Sequence, residues 1–137
     1  MELNKLKVNS KLVEEGAWID GIPEAGDLRL RVRGIGSAAY RNALSRLTRA
    51  VPKNKRNEDD TLPIEIAERI AAEAAAEGLL LDWENITREG EQVPYDKELA
   101  KEWLLDRDFV PFLEAVLWAA NKVAQTAQMV EETITKN

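Results

Sequence analysis

Apolar and polar positions change period several times along the chain, and each change marks an element. Leu28, Leu30 and Val32 alternate with Arg29, Arg31 and Arg33, which is the period of a strand with one buried face. With Ala17, Trp18 and Ile19 as an earlier strand, residues 12–36 read as a β-hairpin whose tip, Gly21 to Gly26, is too long for a two-residue turn and is expected to be loose. A lone hairpin is marginal in water, so its apolar face needs helices or another chain against it.

Helical spacing follows. Ser37 is placed to cap a helix over 37–51, where Tyr40, Leu44, Leu47 and Val51 recur on one face and Pro52 marks the stop. Residues 52–61 carry no period and read as an exposed, mobile loop. The remainder, 62–137, reads as helical. Thr61 is placed to cap a helix starting at Pro63, with Ile64, Ile66, Ile70, Ala71 and Ala74 as its stripe. That helix ends at Gly78 or runs on to Leu81, since a mid-helix glycine costs only about 1 kcal/mol. Leu79 to Trp83 is too apolar to be exposed, and 85–92 forms a turn. Asp96 caps a short helix over 97–105, and Asp108 caps a long one from Phe109 to about Thr133, carrying Phe112, Val116, Ala119, Ala120, Val123, Ala127 and Val130 along one side. The expected fold is a single mainly α domain of about four helices with a small N-terminal β-hairpin. Its expected core holds Trp18, Leu30, Val32, Leu44, Leu47, Ile70, Leu81, Trp83, Leu99, Trp103, Phe112, Val116 and Val123.

Composition narrows the chemistry. The 137 residues include no cysteine and no histidine, which removes disulfides, thiolate or imidazole metal sites and triads that use those side chains. No converging acid–base pair stands out, so neither enzymatic activity nor a cofactor is expected. No apolar run approaches a membrane span and no leader is evident, so a cytoplasmic protein without a membrane partner is expected. Gly34-Ile35-Gly36-Ser37-Ala38-Ala39 fits a dinucleotide fingerprint, but the strand before it bears arginines on one face, unlike a buried parallel strand. The glycines read as a tight turn between hairpin and helix.

The net charge of -6 conceals a segregation: residues 1–57 hold 12 Lys/Arg against 6 Asp/Glu, and residues 58–137 hold 7 against 19. Three readings share this pattern: two differently solvated faces, a nucleic-acid patch, or a basic half that meets the acidic half of the next copy. For the last, Arg29, Arg31, Arg33, Arg41 and Arg49 would face Glu65, Glu68, Glu73 and Glu77. Overall acidity makes nucleic acid the weaker partner. A small nucleic-acid-binding regulator using the basic segment 29–56 stays as the alternative function.

The order of five segments carries a resemblance: Gly16-Ala17-Trp18-Ile19-Asp20, Leu30-Arg31-Val32-Arg33-Gly34, Leu80 to Ile86, Val93 to Ala100 and Phe112 to Ala120. In its apolar and aromatic spacing the chain resembles the tail assembly chaperones of long-tailed bacteriophages. The resemblance implies a protein that coats the tape measure protein, helps bring tail tube subunits to it, and self-associates in the cytoplasm of the bacterial host without entering the mature virion; the charge segregation would make that self-association head to tail.

Overall fold

The structure is a computed structural model that describes the backbone of residues 1–136 and the side chains of residues 1–128. A short 3-10 turn, Leu3–Leu6, leads into α1 (Ser10–Glu15), then β1 (Ala17–Ile19), β2 (Arg29–Val32), α2 (Ala38–Arg49) and α3 (Ile64–Gly78). The second half supplies β3 (Leu80–Glu84), a two-residue-strand hairpin β4 (Thr87–Arg88) and β5 (Glu91–Gln92), α4 (Lys97–Leu105) and α5 (Val110–Lys136).

β2 is the centre of a three-stranded antiparallel sheet in the order β1-β2-β3. Ala17 faces Val32 and Ile19 faces Leu30 on one side, while Leu30 faces Trp83 and Val32 faces Leu80 on the other, with a bulge between Arg31 and Val32. The alternation in β2 does what its period predicts, since Leu30 and Val32 are fully buried. Their side chains pack with Trp83, Val116, Ala119, Ala120 and Val123 in one core. α5 is the spine of that core, touching the sheet and helices α1, α3 and α4. Two main-chain hooks fix other segments to it: the Ile35 N–H donates to the Ala120 carbonyl at 3.2 Å and the Asn9 N–H to the Ala127 carbonyl at 3.3 Å.

These observations correct the expected fold class. Five α-helices are present among the described residues, and strands are not confined to an N-terminal hairpin. After the Leu79 C-cap the chain leaves helix geometry, and Leu80–Glu84 closes the free edge of β2, which an isolated hairpin needs for stability. Residues 12–15, included in the expected hairpin, lie in α1, capped by the Asn9 side chain accepting from the Leu12 N–H at 3.1 Å. Gly16 turns that helix into β1 with φ +83°, and a Cβ there would sit 2.5 Å from the Val32 carbonyl oxygen.

Capping by Ser37 and Asp96 is as expected, with side-chain oxygens accepting from Tyr40 and from Glu98 and Leu99. Thr61 does not cap α3; its hydroxyl donates to Asp59 at 2.6 Å, and those bonds hold the Asp59 carboxyl below its usual range. The loop around it is organised by Arg56, which donates to the Thr48 and Val51 carbonyls at the end of α2. The hairpin tip is not loose either: Ile22 is buried, and Asn85 donates to the Asp27 carbonyl at 2.9 Å. Trp18 is half-buried on the outer face of the sheet, beside Arg29, and is not a core anchor. Leu44, Leu47, Leu81, Leu99, Trp103 and Phe112 are half-buried at the margin of the core. Val130, placed on the buried side of the last helix by its spacing, lies outside the described side chains.

Candidate protein-binding grooves

The aromatic residues that the sequence scatters over thirty positions converge where β3, α4 and the start of α5 meet. Trp83 stacks on Trp103 with centroids 5.2 Å apart, and Phe112 and Tyr95 meet the Trp83 ring edge-on at 6.1 and 5.1 Å. The buried Trp83 indole donates to the Val93 carbonyl at 2.7 Å, which ties the segment after β5 to the sheet. Arg88 lies over the Trp103 ring at 5.6 Å.

On the solvent side of this cluster an open groove of about 630 Å³ runs between the β1–β2 tip and α5. Ile22, Leu28, Phe112 and Ala115 line its floor, Trp103, Phe109 and Trp118 its walls, and Glu24, Arg88 and Glu114 its rim. Phe109 is 43% exposed, a large apolar surface for a residue beside a groove. A second groove of about 860 Å³ follows the other flank of α5, bounded by α3 and α4. Leu104, Val110, Leu113 and Leu117 line it, with Glu65, Glu68, Arg69, Asp106 and Arg107 at its edge. At 100° per residue, Leu113 and Leu117 fall on one flank of the Val116–Ala120–Val123 stripe and Phe112, Ala115 and Trp118 on the other. The apolar arc of α5 is thus broader than a single core face requires, which is the one trace of both grooves in the sequence.

The nine residues expected at a self-association contact are dispersed, and most are engaged inside the chain. Arg29 pairs with Glu84 at 2.5 Å and lies 5.1 Å from the Trp18 centroid. Arg33 donates to the Glu14 and Gly78 carbonyls at the ends of α1 and α3, so reversing its sign would also strip caps from two helices. Arg31 reaches the Glu15 carbonyl at 3.5 Å and Arg41 the Gly36 carbonyl at 3.1 Å. Glu77 pairs with Arg46, and Glu73 with Arg69 at 3.5 Å. Arg49, Glu65 and Glu68 have no ion pair among the described residues. The segregation of charge is therefore partly folded back on itself: basic α2 packs along acidic α3 in the same molecule.

The glycine-rich turn has a local explanation as well. At the N-terminus of α2, where a dinucleotide phosphate would sit, the Glu14 carboxylate accepts from the Ala38 N–H at 2.9 and 3.0 Å. Asp106 caps the turn before α5 by accepting from the Asp108 N–H. No three carboxylates converge on a cation position among the described residues.

Residues 35–137 match the family model described as YdaY prophage protein, about three quarters of the chain. The chain belongs to that prophage protein family. The matched span covers α2 to α5 and so most of the lining of both grooves, while α1, β1 and β2 lie ahead of it. Among curated proteins and solved structures nothing matches. Among the described residues no helix is long and apolar enough to cross a membrane.

Burial pushes the hydroxyls of Tyr40, in α2, and Tyr95, beside Trp83, above their ordinary value; Asp82 and Asp96 add to the effect at Tyr95. The folded chain then keeps these protons at a pH where the unfolded chain loses them. Stability should be unaffected by them below about pH 10 and fall above it. Ultraviolet absorbance titration should show both ionising later in the native protein than in urea; titration at the free-tyrosine position would contradict this.

Proposed function

We propose that this prophage protein is a tail assembly chaperone that holds apolar helical segments of the tape measure protein in the aromatic groove and helps recruit tail tube subunits. The carrying observation is the open groove walled by Trp103, Phe109 and Trp118. An amphipathic helix binds such a groove through apolar side chains at i, i+3 or i+4 and i+7, and the mixed-charge rim leaves its polar face in water. Membership of a prophage family and the segment resemblance to tail assembly chaperones support the same reading. Many shallow sites along a long client give tight coating overall while each copy remains releasable. Self-association head to tail in the host cytoplasm belongs to the proposal. The alternative, nucleic-acid binding, is less favoured because only Arg49, Lys53 and Lys55 of the basic segment are without a polar or ionic partner among the described residues.

The test is co-expression with the tape measure protein of the same prophage. The wild-type chain should keep the client soluble and co-purify with it. Phe109→Glu combined with Trp118→Glu should weaken that capture at least tenfold, about 1.4 kcal/mol or more, while leaving the circular dichroism spectrum unchanged. Undiminished capture by the double variant would reject the groove as the site. A client that stays insoluble with the wild-type chain would reject the chaperone role.

A further inference from the structure

The first eight residues leave their apolar side chains in water although a helix lies beside them. Leu3 is 73% exposed, Leu6 63% and Val8 46%. The 3-10 turn over Leu3–Leu6 sets Leu3 and Leu6 one above the other, since i and i+3 eclipse in that geometry. Lys5 and Lys7 flank them. The segment is therefore a short basic arm with an apolar ridge that the described residues of its own chain leave largely exposed.

The groove between α3, α4 and α5 has the complementary character. Its floor is aliphatic, with Leu104, Leu113 and Leu117, and Val110 at its mouth is 43% exposed. Of its rim carboxylates, Glu65 and Glu68 have no cationic partner among the described residues. We infer that this groove receives the N-terminal arm of a second copy of the chain, with Leu3 and Leu6 on the aliphatic floor and Lys5 and Lys7 against Glu65 and Glu68. Apolar burial provides the affinity and the charges set register and polarity.

The placement of the two parts decides the kind of assembly. The arm is rooted at Asn9, whose N–H bonds to the Ala127 carbonyl. Ala127 is 14 residues beyond Leu113, about 21 Å along α5. Arm and groove thus lie at opposite ends of the described part of α5, and a contact of one with the other is heterologous. Repeated head to tail, such contacts propagate into a ring where the rotation between copies closes and into an open chain where it does not. An eight-residue arm covers less than a standard interface, so the association is weak and concentration-dependent. The lysines and glutamates make it salt-sensitive. The inference rests on the head-to-tail self-association proposed above, to which it gives a contact; it uses a different groove from the one proposed for the tape measure protein and does not depend on that assignment.

Two variants of the full chain test it by sedimentation velocity over a range of concentrations. Leu3→Asp with Leu6→Asp spoils the arm. Ile66→Glu with Val110→Glu spoils the groove, placing acidic residues in the first turns of α3 and α5, where helices accept them. The wild type should form a concentration-dependent ladder of species, and each variant should weaken it at least tenfold with an unchanged dichroism spectrum. Mixing the two variants should give a dimer that grows no further, because the mixture contains one intact arm site and one intact groove. A wild type that is monomeric at every concentration and salt overturns the proposal. So does a ladder that survives either variant, or a mixture that stays monomeric. Loss of the ladder from an unfolded variant is resolved by Lys5→Glu with Lys7→Glu, which leaves the core untouched and should shift the ladder the same way; an unmoved ladder there overturns the charge register.

Discussion

Trp83→Ala is expected to cost about 4 kcal/mol of stability, the range for a large buried aromatic cut back to a methyl group. The indole is 3% exposed and bridges three parts of the fold. It pairs across the sheet with Leu30, stacks on Trp103 of α4 and meets Phe112 of α5. Its removal also leaves the Val93 carbonyl without the indole N–H. For a domain of this size each kcal/mol shifts the midpoint by roughly 3–4 °C, so thermal unfolding should move down by about 12–16 °C. Trp83→Phe separates the two contributions. It keeps a ring against Trp103 and Phe112 but not the hydrogen bond, and should cost about 1–2 kcal/mol. Urea titrations of both variants check the pair; equal losses would show that the hydrogen bond, and not the ring, carries the effect.

Gly78→Ala is the second large effect, and it runs against helix propensity. In an exposed helix alanine would gain about 1 kcal/mol over glycine. Here a Cβ would lie 2.7 Å from the Tyr40 Cα and 2.8 Å from the Ala39 carbonyl oxygen and the Tyr40 nitrogen. Those are backbone atoms of α2, so no side chain can rotate away and the α2–α3 pair must separate. Overpacking of this kind costs about 1–3 kcal/mol. Set against the propensity gain of about 1 kcal/mol, the upper half of that range leaves a net loss of about 1–2 kcal/mol and a midpoint lower by about 3–8 °C. Gly36→Ala is the control, since a Cβ there has nothing within 4 Å. It should leave stability unchanged or raise it by up to about 1 kcal/mol. A neutral Gly78→Ala would mean that α2 and α3 do not pack as closely as described.

The packing at Gly78 shows why the sequence left the end of α3 open between Gly78 and Leu81. Propensity charges a glycine little, so a local reading has no reason to stop there. The helix stops because Leu80 to Glu84 pair with β2, an interaction across about fifty residues. The same distance hid the third strand: Leu79 to Trp83 announces burial, but five apolar-rich residues carry no period that separates strand from helix. Residues 12–15 went the other way, since α1 is only six residues long and rests on a cap and on packing against α5.

The groove residues were legible as apolar and not as exposed. Phe109, Val110 and Trp118 fall within the expected long helix, and only the position of neighbouring elements leaves them open. Charge behaved alike. Counting placed the arginines and glutamates in different halves, but whether Arg46 meets Glu77 in its own chain or in another depends on α2 and α3 lying side by side.

Features governed by contacts within a few residues were therefore readable in advance: the Ser37 and Asp96 caps, the buried alternation of Leu30 and Val32, and the long helix with its Val116–Val123 stripe. Each depends on backbone hydrogen bonds or a period that the local sequence carries in full. The sheet order, the outward turn of Trp18, the intrachain use of Arg29 and Arg33, and the two grooves came only with the tertiary structure. They arise where segments distant in sequence compete for the same surface, and that competition is settled by the combined packing of all of them, which no single window of the chain contains.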